Sequence, residues 1–175
     1  MKRDLFFAII VIVSVLSSCE GTEEPELIKI EYQDWEQTTD EELNYMIPGH
    51  MDRYRIIYIN NIGTQVQPEE QGGRTVWDYP EGTIIMKEVY SESTIEEGEE
   101  PVALTAMIKD SDDPRARGGW VWVMCNIEAG TERVFEEEFC VTCHANANTQ
   151  HPYGEGNPEA EFRDYVFFPY FQGSE

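Results

Sequence analysis

Basic residues, histidines and cysteines are all scarce in this chain, and each shortage excludes something. Twelve Lys and Arg face 35 Asp and Glu, a net charge of −23. Such a surface repels nucleic acid and anionic headgroups, so neither is an expected partner, and any membrane attachment has to come from something other than charge. The sequence has three histidines. A zinc knuckle beside the Cys140/Cys143 pair would need a second Cys/His pair, and only the distant and separate His50 and His151 remain for it. Internal repeats are lacking, and so is the alternation of strands and helices in which a thioredoxin-like redox pair sits. The one long apolar run, residues 5–16, is too short to cross a bilayer as a stable helix.

That run follows Lys2 and Arg3 and ends at Leu16-Ser17-Ser18-Cys19, the pattern of an export signal. Its end resembles the lipobox of bacterial lipoproteins. The resemblance implies a signal peptide over residues 1–18, acylation of Cys19, and a lipid-anchored protein of the cell envelope, in the periplasm or on the outer membrane. Residues 19–36 begin acidic and poor in apolar side chains and read as a tether. Residues 37–175 are long enough for one domain with its own core.

Within that domain, residues 39–42 (Thr-Asp-Glu-Glu) read as a capping box opening a short helix to about Ile47. Residues 54–60, 83–90, 102–109 and 120–127 read as strands, the last with both faces buried. Residues 68–73, 92–100, 110–119 and 149–158 read as loops. Residues 132–147 hold better helix formers, with a short helix expected around the cysteines. The aromatic stretch 164–171 reads as packed. The expected fold is mainly β, an antiparallel sheet with a few short helices and a flat cofactor packed against it.

Cysteine carries the chemistry. With Cys19 assigned to lipid, Cys125, Cys140 and Cys143 remain, an odd number for an oxidising compartment. Cys140-Val141-Thr142-Cys143-His144 places two thiols and an imidazole on about one helical turn. Haem needs two thiols for its vinyl groups and a nitrogen for its iron, so this motif implies one covalently bound haem c, with His144 as the metal ligand. A structural disulfide gives no reason for His144. For the sixth iron position, Met46, Met51, Met86, Met107 and Met124 read as core. His50 and His151 read as surface or local hydrogen-bonding residues rather than ligands. Cys125 alternates with Val121 and Val123 and reads as a buried, inert thiol. Arg115, Arg117, Arg133 and Arg163 are candidate partners of the haem propionates.

Several segments occur in the order found in the cytochrome P-460 family, which includes the cytochromes c′-beta. They are Tyr54-Arg55-Ile56-Ile57-Tyr58-Ile59-Asn60, Tyr79-Pro80-Glu81-Gly82-Thr83-Ile84-Ile85-Met86-Lys87-Glu88, Met107-Ile108-Lys109, Gly119-Trp120-Val121-Trp122, the haem motif, and Asp164-Tyr165-Val166-Phe167. The chain resembles that family from about residue 44 to 168. The resemblance implies a homodimer with a five-coordinate haem and an open distal pocket. It implies oxidation of hydroxylamine, or binding of nitric oxide or carbon monoxide without turnover. It also implies, in catalytic members, a lysine cross-linked to the porphyrin and a carboxylate that moves protons.

Lys87 is the position that matches the lysine; alternatively it is an edge-strand lysine reaching water. Glu136, Glu137 and Glu138 are the candidate distal acids, with a solvated face as the other reading. Phe135 and Phe139 flank them and are candidates to cap an apolar distal pocket. The segment between His144 and Asp164 is longer than the family pattern, and is expected as an exposed loop. Three functions follow as expectations: a haem oxidoreductase passing electrons to a redox-partner cytochrome, a binder of nitric oxide or carbon monoxide, and a membrane-tethered electron-transfer cytochrome.

Overall fold

The computed structural model describes residues 29–47, 49–50, 53–154 and 156–170. The expected signal peptide, Cys19 and the acidic start of the tether lie outside the described residues, as does Met51. Among the described residues, eight strands form: β1 Glu36–Gln37, β2 Arg55–Ile59, β3 Pro68–Gln71, β4 Arg74–Trp77, β5 Ile84–Val89, β6 Ala103–Lys109, β7 Trp120–Asn126 and β8 Thr131–Phe135. One helix follows, α1 Phe139–His144, running on into a 3₁₀ turn over Ala145–Asn148. Six strands make one antiparallel sheet in the order β1-β2-β5-β6-β7-β8, and β3 and β4 pair as a separate hairpin. Among the described residues, no helix is long and apolar enough to cross a membrane.

Alternation along these strands gives the sheet two different faces. Register puts Ile57 opposite Lys87, Lys87 opposite Thr105, Thr105 opposite Met124, Met107 opposite Trp122, and Trp122 opposite Phe135. These residues share one face, covered by α1 through Val141 and by the C-terminal segment through Val166. The other face carries Met86, Leu104, Ala106, Val121, Val123 and Cys125, covered by Tyr32. Tyr32 is 4 % exposed, so the folded part begins before residue 37.

The structure corrects three local expectations. Residues 39–47 form no helix. Thr39 Oγ1 accepts the Glu41 N–H at 3.0 Å, closing a local turn, and Leu43 then runs beside Arg55 as a bridge partner. Burial of Leu43 in this extended contact outweighs the helix-opening pattern. Residues 68–73 are not a loop but β3 and its turn: Gly72 and Gly73 both take positive φ, which the tight hairpin connection to β4 requires. Residues 131–135 pair with β7 instead of joining the helix, because Val134 and Phe135 each find an apolar face to cover.

Gly118 explains how closely α1 can approach. A Cβ there would lie 2.9 Å from both the Tyr165 ring and Val141. Any side chain would push α1 and the C-terminal segment off the sheet.

Candidate functional site

Six residues are too few for α1 to hold itself by propensity. Tertiary contact does it instead, with Val141 9 % exposed in the core. Cys140 and Cys143 are three apart and Cys140 and His144 four apart, so all three side chains share one helical face. That face, with the sheet residues Ile57, Ile85, Lys87, Met107 and Trp122, lines a largely apolar cavity of about 250 Å3. Both thiols are free.

His144 is the most tightly positioned of the three. Its Nδ1 lies 2.9 Å from the Tyr165 carbonyl oxygen, which accepts the ring N–H and leaves Nε2 free as a lone-pair donor. Trp122 and Phe167 pack edge-on against the ring at 4.7 and 5.5 Å between centres. Burial holds the imidazole neutral, pushing it down to about 4; the Tyr165 carbonyl pulls the other way and the charge on Lys87 adds to the fall.

The carbonyl that does this is itself held by an unusual backbone. Asp164 and Tyr165 both take positive φ, +48° and +69°, a conformation that costs a residue such as tyrosine about 1–3 kcal/mol. Buried anchors hold it. The Lys109 ammonium donates to Asp164 Oδ2 at 2.6 Å, and Asn148 Oδ1 accepts the backbone N–H groups of Arg163 and Tyr165. The Asp-Tyr-Val-Phe segment therefore has one job per residue: anchor, histidine acceptor, core plug and ring support.

Lys87, on β5, lines the cavity. Burial, reinforced by the charge of Arg55, pushes its amine down to about 7; the Cys140 sulfur opposes this. Nζ lies 3.2 Å from His50 Nδ1 and 3.3 Å from its Nε2. His50 is held well below its ordinary value, first by the Lys87 charge and then by burial. His50 thus lies inside the cavity and not at the surface, and its ring contact is with Lys87, 37 residues away and not local.

Arg55 was not foreseen. It is 4 % exposed and lines the cavity. Its Nε donates to the Leu43 carbonyl at 3.2 Å and Nη2 to the Tyr45 carbonyl at 2.7 Å, while buried Nη1 has no partner. Thr38 Oγ1, also buried and unpartnered, belongs to the same lining. Its position on the face of Ile57 was the signal that could have found Arg55. The arginines named from sequence do not line the cavity. Arg115 pairs with Asp113, Arg117 with Glu138, Arg133 with Glu137 and Arg163 with Glu161.

Glu136, Glu137 and Glu138 are exposed and none lines the cavity; they form the solvated face that was the other reading. The candidate distal acids are therefore not brought to the site, whereas Phe135 and Phe139 both line it. The segment expected as an exposed loop before Asp164 contributes Tyr153 to the cavity wall, and its His151 packs on Phe167 at 4.9 Å. Met107 is core as expected, but Met46 and Met124 are exposed. Cys125 is fully buried on the opposite face, where burial raises its thiol and Glu132 adds to the rise.

These residues fit a haem. Two free thiols and a neutral imidazole with Nε2 available converge on one apolar space. A buried guanidinium N–H and a hydroxyl without partners suit an anionic edge such as a propionate. Among the described residues, no group of three or more His, Cys, Asp and Glu is placed to hold a metal ion. The sequence profile of a family described as Cytochrome P460 matches residues 30–168. No curated protein matches the chain.

Proposed function

The chain belongs to the cytochrome P460 family, a family of c-type haem proteins, and from that premise we propose that it binds a small nitrogen species, nitric oxide or hydroxylamine, at the iron of one covalently held haem. The observation that carries this reading is the convergence of Cys140, Cys143 and His144 on a cavity whose described lining contains no Asp or Glu. When bound, haem supplies an iron that takes a small ligand and exchanges single electrons.

The chain's own residues do the rest. Cys140 and Cys143 would add across the two vinyl groups to hold the porphyrin, and α1 fixes their spacing. His144 would hold the metal through Nε2, oriented by the Tyr165 carbonyl and the Trp122 and Phe167 rings. Arg55 and Thr38 offer donors to a propionate. Lys87, its amine pushed down to about 7 by burial, is the group best suited to pass a proton at the cavity. With Glu136, Glu137 and Glu138 outside, binding is better supported than carboxylate-assisted oxidation of hydroxylamine. Turnover is the second reading, and Lys87 is the observation that favours it.

The remaining elements rest on sequence alone. They are lipidation at Cys19 and a place in the periplasm or outer membrane, a homodimer, and electron exchange with a partner cytochrome. A pure electron carrier tethered to the membrane remains the alternative.

The test is a titration of the reduced holoprotein with nitric oxide and with carbon monoxide, followed by its visible spectrum. Saturable spectral change with both gases is expected, unaltered in Glu136→Gln, Glu137→Gln and Glu138→Gln. A haem that ignores both gases makes the chain an electron carrier. Reduction of an added acceptor that depends on hydroxylamine would move the reading from binder to enzyme.

A further inference from the structure

Lys109 ends β6 with its side chain buried, at 8 % exposure, and it does not line the cavity. An ammonium that deep is costly without a partner. Its surroundings accommodate the charge. Gly119, at φ +82°, leaves room beside Nζ, where a Cβ would sit 3.4 Å away. The Trp120 ring lies under Nζ at 5.2 Å from its centre. Asp78 is 4.0 Å off and exposed, so water screens it; Asp164, buried and 2.6 Å away, is the counter-charge that matters.

The same Asp164 oxygen, Oδ2, accepts the Tyr79 N–H at 3.3 Å. Asp164 is therefore pinned from two sides, and the residue after it is the one whose carbonyl holds His144. Aspartate tolerates the left-handed backbone region, but tyrosine enters it only under constraint. Tyr165 stays at φ +69° because its neighbours are fixed: Asp164 by Lys109, and Val166 by its N–H to the Arg163 carbonyl at 2.9 Å. Released, Tyr165 would relax to negative φ and its carbonyl would swing off Nδ1. A carbonyl 2.9 Å from Nδ1 draws on the ring proton and makes Nε2 a stronger donor. A stronger donor favours ferric over ferrous iron.

We propose that Lys109 and Asp164 are positioning residues for His144: by holding the Tyr165 carbonyl on the ring they set the strength of the iron–histidine bond and the reduction potential. This rests on the reading that Cys140, Cys143 and His144 hold haem. Neither Lys109 nor Asp164 lines the cavity, so their influence reaches the ligand through the backbone.

The experiment compares wild-type holoprotein with Asp164→Asn and with Lys109→Met/Asp164→Asn, by resonance Raman of the ferrous state, redox titration and urea unfolding. The double variant removes both charges and strands neither, and asparagine tolerates positive φ as aspartate does. Its iron–His144 stretching band is expected at lower frequency. Its ferrous-to-ferric ratio at a fixed potential is expected to rise about tenfold, an upward shift of about 59 mV. Asp164→Asn keeps an acceptor for Lys109 and should move both readouts the same way by less; it decides alone where the double variant does not fold. Glu88→Gln, on the opposite face, is the control for lost stability and should leave band and potential at their wild-type values. Folded variants with an unchanged band and potential overturn the inference and leave the haem reading intact, as does an equal shift in Glu88→Gln. Wild-type protein without covalent haem overturns both.

Discussion

The two faces of the central sheet bury charge in opposite ways. On the face away from the cavity, Glu88 is 6 % exposed and fully served. The Tyr32 hydroxyl donates to Oε1 at 2.8 Å, and the Tyr58 and Tyr90 hydroxyls donate to Oε2 at 3.2 and 2.9 Å. The hydroxyls pay with their acidity: burial, with Glu88 adding, raises all three, Tyr58 to about 12. On the cavity face, Arg55 Nη1 has no partner, and no carboxylate among the described lining residues answers Lys87. A buried polar group without a partner costs about 1–3 kcal/mol. The first face is finished by the polypeptide. The second leaves a buried guanidinium N–H unpaired beside a cavity, the arrangement that would suit an anionic group there.

Cutting the finished face should have the largest effect. Glu88→Ala strands three hydroxyls and is expected to cost about 3 kcal/mol in urea unfolding. Glu88→Gln keeps an acceptor and should cost less. Equal, negligible losses in both would mean that the tyrosine cluster is decoration.

Cutting the unfinished face should have a smaller effect and a particular pH dependence. The folded-state Lys87 is pushed down to about 7 from an ordinary 10.5. Between those values the unfolded chain binds a proton that the folded chain does not, so stability rises as pH climbs from about 7 towards 10. Below 7 both states are protonated and the full burden of burying the charge is constant. In Lys87→Met that slope should disappear, with stability at pH 7 unchanged or higher. A slope that survives the substitution would place the titrating group elsewhere.

Much of this was legible in the sequence. The four long strands were readable because β-branched and aromatic residues recur between turn residues. That Cys140, Cys143 and His144 share one helical face on the cavity was readable from their spacing. What hid was set by tertiary contact. The run 39–42 has the local signature of a helix start, yet Leu43 gains more by lying beside Arg55. Arg55 reads locally as a strand arginine, and only the register of β2 against β5 puts it in the same cavity as Lys87. The glutamates ahead of α1 were candidates by proximity in sequence, but a six-residue helix can turn its neighbours outward, and it does. His50 was hidden because its position depends on a turn packing against Phe139, 89 residues further along the chain.

The mass of the purified mature protein, made in a host competent for cytochrome c maturation, tests the central claim most directly. The expected value is the polypeptide with any lipid plus a single haem, falling to no haem in the Cys140→Ala/Cys143→Ala protein after acid–acetone extraction. Haem retained by that double variant would reveal a bond through Lys87. A colourless wild type, with its mass accounted for by protein and lipid, would contradict the account.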